Sequence, residues 1–417
     1  MEIKRDHYLN KLILKKHNRL VKVITGIRRC GKSYLLFTLF KNHLLNEGVD
    51  PSHIIEMAFD SIETRKYRDP ELCFDYLKNQ VEDNDMYYIL LDEVQLLNSF
   101  EDVLNGLLRL NNVDIYVTGS NAKFLSKDII TEFRGRGDEL HINPLTFSEF
   151  MSVYQGSNDA GWHDYVLYGG LPPVVLLPTE EQKIDLLNAL FQETYINDIT
   201  ARHRIRHKEE FEELINILAS GIGSLTNVKK LGNTFKSKKQ VTISSNTLKS
   251  YLEYLEDAFI IESASRYDLK GRKYISAMQK YYFTDMGLRN ARIKFRQIEE
   301  THTMENIIYN ELRARGLQVD VGVYPVQERN KNGDRIRKEY EVDFVCNIGS
   351  KRYYLQSAYA MPDTEKIEQE QRSLLKIDDS FKKLIIVKDA LRPWYTDKGV
   401  LVIGLYDFLL NPDSLNL

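Results

Sequence analysis

Three cysteines in 417 residues, Cys30, Cys73 and Cys346, are too few and too scattered for a disulfide framework or a cysteine-rich zinc site. The chain also lacks any apolar run approaching the roughly 18 to 20 residues that span a bilayer. Its first residues, MEIKRDHYLNKLILKK, lack the unbroken apolar stretch of a signal peptide. Together these absences predict a cytoplasmic protein without a membrane span. Aliphatic and aromatic content is ordinary, which argues against disorder, and the length predicts two or three domains. A large charge imbalance is missing too, with a net charge of −3, but the sign is uneven along the chain. Between Ala201 and Ile298 there are 19 Lys and Arg against 10 Asp and Glu, which gives +9 and leaves −12 for the remainder. That asymmetry points to an anionic partner for the middle of the chain.

Near the N-terminus, the β-branched run Val21-Lys22-Val23-Ile24-Thr25 empties into Gly26-Ile27-Arg28-Arg29-Cys30-Gly31-Lys32-Ser33, a GxxxxGKS pattern. Two glycines at that spacing let the backbone wrap phosphates with its N–H groups pointing inward, and a helix that follows adds its positive end. Gly26, Arg28, Arg29, Cys30, Gly31, Lys32, Ser33 and Tyr34 are the expected cradle. Lys32 reaches the β- and γ-phosphates of a nucleoside triphosphate in this reading, and the Ser33 hydroxyl holds Mg²⁺. The required helix is supplied by the apolar pattern of Ser33 to His43.

A second apolar run, Met86 to Leu91, ends in Asp92 and Glu93. In open α/β sheets ligands gather at the carboxyl ends of the strands, so Asp92 is expected to face the metal ion and Glu93 to orient or deprotonate water. A third run, Val113 to Thr118, leads into Gly119-Ser120-Asn121. There Ser120 and Asn121 either sense the γ-phosphate or cap a helix. With His53 to Asp60 as a further strand, the first 140 residues read as β-α-β-α-β, a parallel sheet with helices on both faces. The Asn-Lys-x-Asp element of guanine-specific proteins is absent from this region, so ATP is the expected nucleotide.

These motifs, continued by Phe133-Arg134-Gly135-Arg136-Gly137, Pro144 to Phe150, Tyr168 to Val175 and Glu341 to Val345, resemble those of a group of bacterial and archaeal P-loop ATPases. That group belongs to the extended AAA+/STAND class and carries a C-terminal winged helix and a restriction-endonuclease-like domain of unknown function. The resemblance implies that Arg134 or Arg136 neutralises charge on the γ-phosphate, in cis or from a neighbouring subunit of a nucleotide-dependent oligomer. The alternative is a loop arginine paired with Asp138 or Glu139. It further implies that Pro172, in Gly169-Gly170-Leu171-Pro172, packs on adenine from a helical lid, the alternative being an ordinary turn.

The expected organisation is an ATPase core at 1–140, a helical lid at 141–200, a winged helix at 201–298 and a degenerate nuclease-like α/β domain at 299–417. In the winged helix, Lys249 on the third helix and Lys270, Arg272 and Lys273 on the wing are candidate DNA phosphate contacts. The competing role is intramolecular regulation. In the last domain Glu305 and Asp343 match two nuclease carboxylates, but Gln356-Ser357-Ala358 stands where an acid and a lysine belong. That predicts no nuclease activity and a structural role for Glu305 and Asp343. The function expected is a Mg-ATP-driven switch acting on a nucleic-acid or protein partner. The alternative is a DNA-binding module that keeps ATP as a structural or regulatory ligand.

Overall fold

The computed structural model describes residues 3–119, 135–239, 241–296, 298–329, 335–389 and 392–417. The chain divides into two compact units, 1–144 with 257–259, and 145–256 with 260–417.

The first unit holds a five-stranded parallel sheet of β1 (Val21–Thr25), β2 (Ile54–Ala58), β3 (Tyr87–Asp92), β4 (Val113–Thr118) and β5 (Gly137–His141), in the order β2-β3-β4-β1-β5. β1 and β3 are buried along their whole length, as expected of inner strands covered on both faces. Register then decides where the functional ends fall. Ile24 pairs with Thr118, Leu91 with Val117 and Ala58 with Asp92, so β1, β2, β3 and β4 all finish on one line. The helical stretch after the glycine loop runs through Lys32–Tyr34, a π-helical Leu35–Phe40 and Lys41–Asn46. It buries Leu35, Leu36, Leu39, Phe40 and Leu44. Val21, Ile89, Leu91, Ile115 and Val117 form a core with Leu104 and Leu107 of the helix Phe100–Leu107. Cys73 and Leu77 of the helix Pro70–Asn79 complete it, and Asp69 caps that helix by accepting from the Glu71 and Leu72 amides.

The second unit begins with helices and ends in a mixed eight-stranded sheet. Its strands are β6 (Ile261–Asp268), β7 (Lys273–Phe283), β8 (Gln318–Arg329), β9 (Arg335–Ile348), β10 (Lys351–Ala358), β11 (Lys382–Val387), β12 (Trp394–Tyr395) and β13 (Leu401–Gly404). Their order is β12-β13-β11-β10-β9-β8-β6-β7. On β11, Leu384 and Ile386 pack into one core with Met304, Ile308 and Leu312 of the helix Glu300–Ala314, while Ile385 and Val387 join Leu374 of the helix Thr364–Leu374. The period of two along a strand thus feeds two cores.

The segments expected as lid, winged helix and nuclease-like domain therefore lie in the second unit, apart from 141–144 and 257–259. The three helices expected ahead of the wing are present as Lys208–Ser220, Val228–Lys239 and Ser245–Asp257. Their hairpin differs from a free-standing wing. β6 pairs in parallel with β8 through Arg266 with Val321, Tyr267 with Gly322 and Asp268 with Val323, which makes the hairpin part of the C-terminal sheet. Alternation in β6 marks a strand with one buried face, but alternation carries no information about which strand lies alongside.

Candidate nucleotide site and a buried lysine–carboxylate cluster

The glycine loop leaves β1 at Thr25 and turns through Gly26 (φ 144°), Arg29 (φ 68°) and Gly31 (φ 101°) before the helix starts at Lys32. At Gly26 a side chain is excluded twice over, by the positive φ and because a Cβ would lie 2.2 Å from the Ile142 carbonyl oxygen. The Lys32 ammonium is buried and donates to the carbonyls of Gly26 (3.0 Å) and Ile27 (3.1 Å), so it lies within the curve of the loop. Arg28, Arg29, Ser33 and Tyr34 are exposed, whereas Cys30 is fully buried.

The shared line of strand ends brings Asp92 beside this loop. The Ser33 hydroxyl donates to Asp92 Oδ2 at 2.8 Å, and the Thr118 hydroxyl donates to Asp92 Oδ1. Burial raises the Asp92 carboxyl above its ordinary value, against the Thr118 and Ser33 hydrogen bonds that favour the charged form. Glu93 follows in a left-handed conformation (φ 52°); its amide donates to Thr118 Oγ1 at 3.1 Å and its carboxylate accepts from Gln95 Nε2. A serine oxygen and a buried carboxylate 2.8 Å apart form a hard-oxygen pair suited to Mg²⁺, and the loop supplies amides and an ammonium suited to phosphate.

Several residues around the loop carry no motif. Arg5 braces it from outside, donating to the Cys30 carbonyl at 3.1 Å and the Asn143 carbonyl at 2.7 Å, with its guanidinium 4.6 Å from the Tyr8 ring centre. Thr118 was legible as the last residue of an apolar strand on the ligand side of the sheet, although Ser120 and Asn121 drew the expectation; both of those, with Arg134, lie outside the described residues.

Arg136 departs from the expected position. Its carbonyl accepts from the Val21 amide at 2.8 Å, and Gly137 is in register with Val21, so Arg136 stands where the strands begin, while the glycine loop stands where they end. Five residues of strand separate the two, roughly 16 Å, so action in cis does not fit. Pairing with Asp138 or Glu139 does not occur either. Asp138 accepts from Lys15 and Asn18, Glu139 accepts from Thr25 Oγ1, and Arg136 donates to Asn105 Oδ1 at 3.4 Å.

In the second unit, Pro172 opens the short helix Pro172–Val175. The turn before it is held by Asp285, whose carboxylate accepts from the Gly170 amide at 2.7 Å and the Leu288 amide at 3.0 Å. Gly169 (φ 73°) lies so close that a Cβ there would sit 2.3 Å from Asp285 Oδ1. Burial pushes the Asp285 carboxyl up to about 6 despite these amides.

Glu305 and Asp343 also meet, but not alone. Lys280, from β7, places its ammonium 2.8 Å from Glu305 Oε1, 2.8 Å from Glu341 Oε1 and 4.0 Å from Asp343 Oδ1. Tyr282 donates its hydroxyl to Glu305 Oε1 at 2.7 Å, and the Ser357 amide donates to Asp343 Oδ2 at 2.8 Å. Burial alone would lower the Lys280 ammonium, but the charges of Glu305, Asp343 and Glu341 outweigh it and hold the group above its usual value. Burial and the Glu305 charge keep the Asp343 carboxyl above its own. β10 carries neither acid nor lysine at Gln356-Ser357-Ala358, and a lysine and an additional carboxylate reach the cluster instead from β7 and from two residues before Asp343.

A glycine loop leaving the first strand of a parallel sheet, with serine and aspartate meeting at the strand ends, defines the P-loop NTPase class. The AAA domain family matches residues 18–151, and a domain of unknown function (DUF8612) matches 159–299. An uncharacterized protein of Haemophilus influenzae is 32% identical over 414 residues, covering 98% of both chains. An uncharacterized protein of Methanocaldococcus jannaschii is 28% identical over 88% of this chain and 82% of its own. Among solved structures, the Walker-type ATPase of Pyrococcus abyssi superposes with a TM-score of 0.51 at 15% identity, over 70% of this chain and 96% of that one. The chain belongs to the family of the Haemophilus protein, a family of P-loop ATPases of AAA+ type. No helix among the described residues is long and apolar enough to cross a membrane.

Proposed function

We propose that the protein is a Mg-ATP-dependent ATPase whose turnover switches its state toward a partner. The observation that carries this reading is the hydrogen bond from Ser33 to Asp92, made beside the Lys32 ammonium at the end of β1 and β3. Loop amides from Gly26 to Ser33 bind phosphate oxygens, and Lys32 offsets their charge. Mg²⁺, held by Ser33 and Asp92, supplies further charge neutralisation. Glu93 orients or deprotonates the attacking water, and the bonds from its amide to Thr118 and from Gln95 to its carboxylate set its direction. Adenine is the base in this reading. Glu93→Gln is expected to keep ATP binding while lowering phosphate release by roughly 10²- to 10⁴-fold; undiminished release would sink the assignment.

Arg136, at the far end of the sheet, serves in trans if it serves catalysis. Phosphate release per chain then rises with protein concentration, and Arg136→Ala removes the rise; a rate independent of concentration in both proteins counts against that role. A second reading, in which DNA is the partner, draws on Lys270 and Arg272 in the turn between β6 and β7 and Lys273 at the start of β7, all exposed. Binding of duplex DNA that weakens steeply with salt and is reduced by replacing these three residues supports it, and no binding at low ionic strength excludes it.

A further inference from the structure

The lysine–carboxylate cluster stands apart from the nucleotide reading and does not depend on it. Its carboxylates come from two directions: Glu305 from the helix Glu300–Ala314, and Glu341 with Asp343 from alternate positions of β9. Lys280, Glu305 and Asp343 are 3%, 7% and 8% exposed. Glu341 is the most open of the four side chains, at 35% against 4% for Lys280, and marks the side from which an ion would enter. Each neighbour is oriented: Tyr282 fixes the Glu305 oxygen that also faces the ammonium, and the Ser357 amide turns the Asp343 carboxylate so that Oδ1 faces Lys280.

An ammonium has three donors and no acceptor, and here two carboxylates lie at hydrogen-bond distance with a third at 4.0 Å. Three converging carboxylate oxygens are also what a Mg²⁺ or Mn²⁺ ion collects, at roughly 2.0 to 2.2 Å. We infer that the Lys280 ammonium is the resident cation of this cluster, filling the place a divalent ion would take among Glu305, Glu341 and Asp343. The cluster is therefore closed to divalent ions while Lys280 is in place and becomes a divalent-cation site when that side chain is removed.

Three physical reasons favour the tethered cation. A second cation cannot share the space within 3 Å of the same two oxygens without strong repulsion, because little water screens charge there. The lysine is attached to β7, so its local concentration far exceeds that of a free ion. The ammonium sheds its water once, as the chain folds, whereas a free Mg²⁺ must dehydrate to enter and does so reluctantly. Removing Lys280 leaves a buried set of carboxylates whose mutual repulsion is relieved by the next available cation.

The test uses the full chain, nucleotide-free and carrying Ser33→Ala so that the glycine-loop region does not contribute a metal site. Mn²⁺ is titrated and free ion is followed by its paramagnetic resonance signal, with the melting temperature measured in parallel. With Lys280 present, no bound Mn²⁺ and no melting shift are expected. Lys280→Ala and Lys280→Gln are each expected to bind one Mn²⁺ per chain and to melt higher in its presence, with affinity falling tenfold or more on adding Glu305→Gln. Binding by the Lys280-containing chain that Glu305→Gln abolishes overturns the inference, as does a well-folded Lys280 variant that ignores Mn²⁺. If both variants are unfolded in the absence of metal, refolding in Mn²⁺ that depends on Glu305 supports it, and failure to refold in Mn²⁺ overturns it.

Discussion

Each candidate site buries a lysine, and the two lysines have different partners. At the glycine loop, Lys32 donates to main-chain carbonyls of its own loop, and Asp92 is met by two hydroxyls, those of Ser33 and Thr118. In the second unit, Lys280 donates directly to Glu305 and forms an ion pair with Glu341. Carbonyl partners are dipoles, and under the proposed function a triphosphate offering full charges outcompetes them for the ammonium. Carboxylate partners already satisfy the charge, so Lys280 is held in place. Under the two proposals, the same residue type serves ligand exchange in one site and closure in the other.

Exchanging the lysines tests the contrast most strongly. Lys32→Ala is expected to lower phosphate release by roughly 10²- to 10³-fold with little change in unfolding free energy, since its carbonyl partners return to water. Lys280→Met should do the reverse, costing about 3 kcal/mol or more in denaturant unfolding because it strands buried carboxylates, while phosphate release per folded molecule is retained. Phosphate release and urea unfolding on both variants check this; a Lys280→Met protein as stable as the parent would break the comparison.

A smaller effect is expected at Asp285, another carboxylate that burial raises. Its pKa rises from the usual 3.8 to about 6 in the folded protein, so the folded state binds the proton more tightly than the unfolded one. The stability this contributes is fully present below about 3.8 and is lost as pH rises through about 6. Between those limits the contribution is at most about 3 kcal/mol, and Asp285→Asn should flatten the pH dependence of unfolding in that window. An unchanged profile in the variant assigns the dependence to other groups.

The nucleotide site was largely legible because its parts are short-range. GxxxxGKS imposes its own backbone path, and an apolar strand ending in Asp92-Glu93 announces where its carboxylates emerge. The parallel α/β character was legible because buried parallel strands and amphipathic helices have different periods, whereas β5, beside the arginine motif, was not. What escaped lay across the chain. Arg5 touches Cys30 from 25 residues away, and Thr118 reaches Asp92 from 26. The resemblance selects Arg136 by sequence order alone, and only strand register places it at the opposite end of the sheet from the loop. The three helices before the hairpin were equally plain, yet the hairpin's incorporation into the larger sheet was not. A strand's sequence records which face is buried but not which edge is occupied.

The amino-acid sequence by itself determined the glycine loop, the acidic strand end beside it and the α/β character of the first unit, because each follows from spacing and periodicity within a few tens of residues. Tertiary structure alone decided that Thr118 and Ser33 share Asp92, that Asp285 secures the Gly169–Gly170 turn, and that Lys280 closes the cluster of Glu305, Glu341 and Asp343. Those outcomes depend on strand register and on elements brought together from distant parts of the chain, where burial turns weak charge and hydrogen-bond preferences into strong ones.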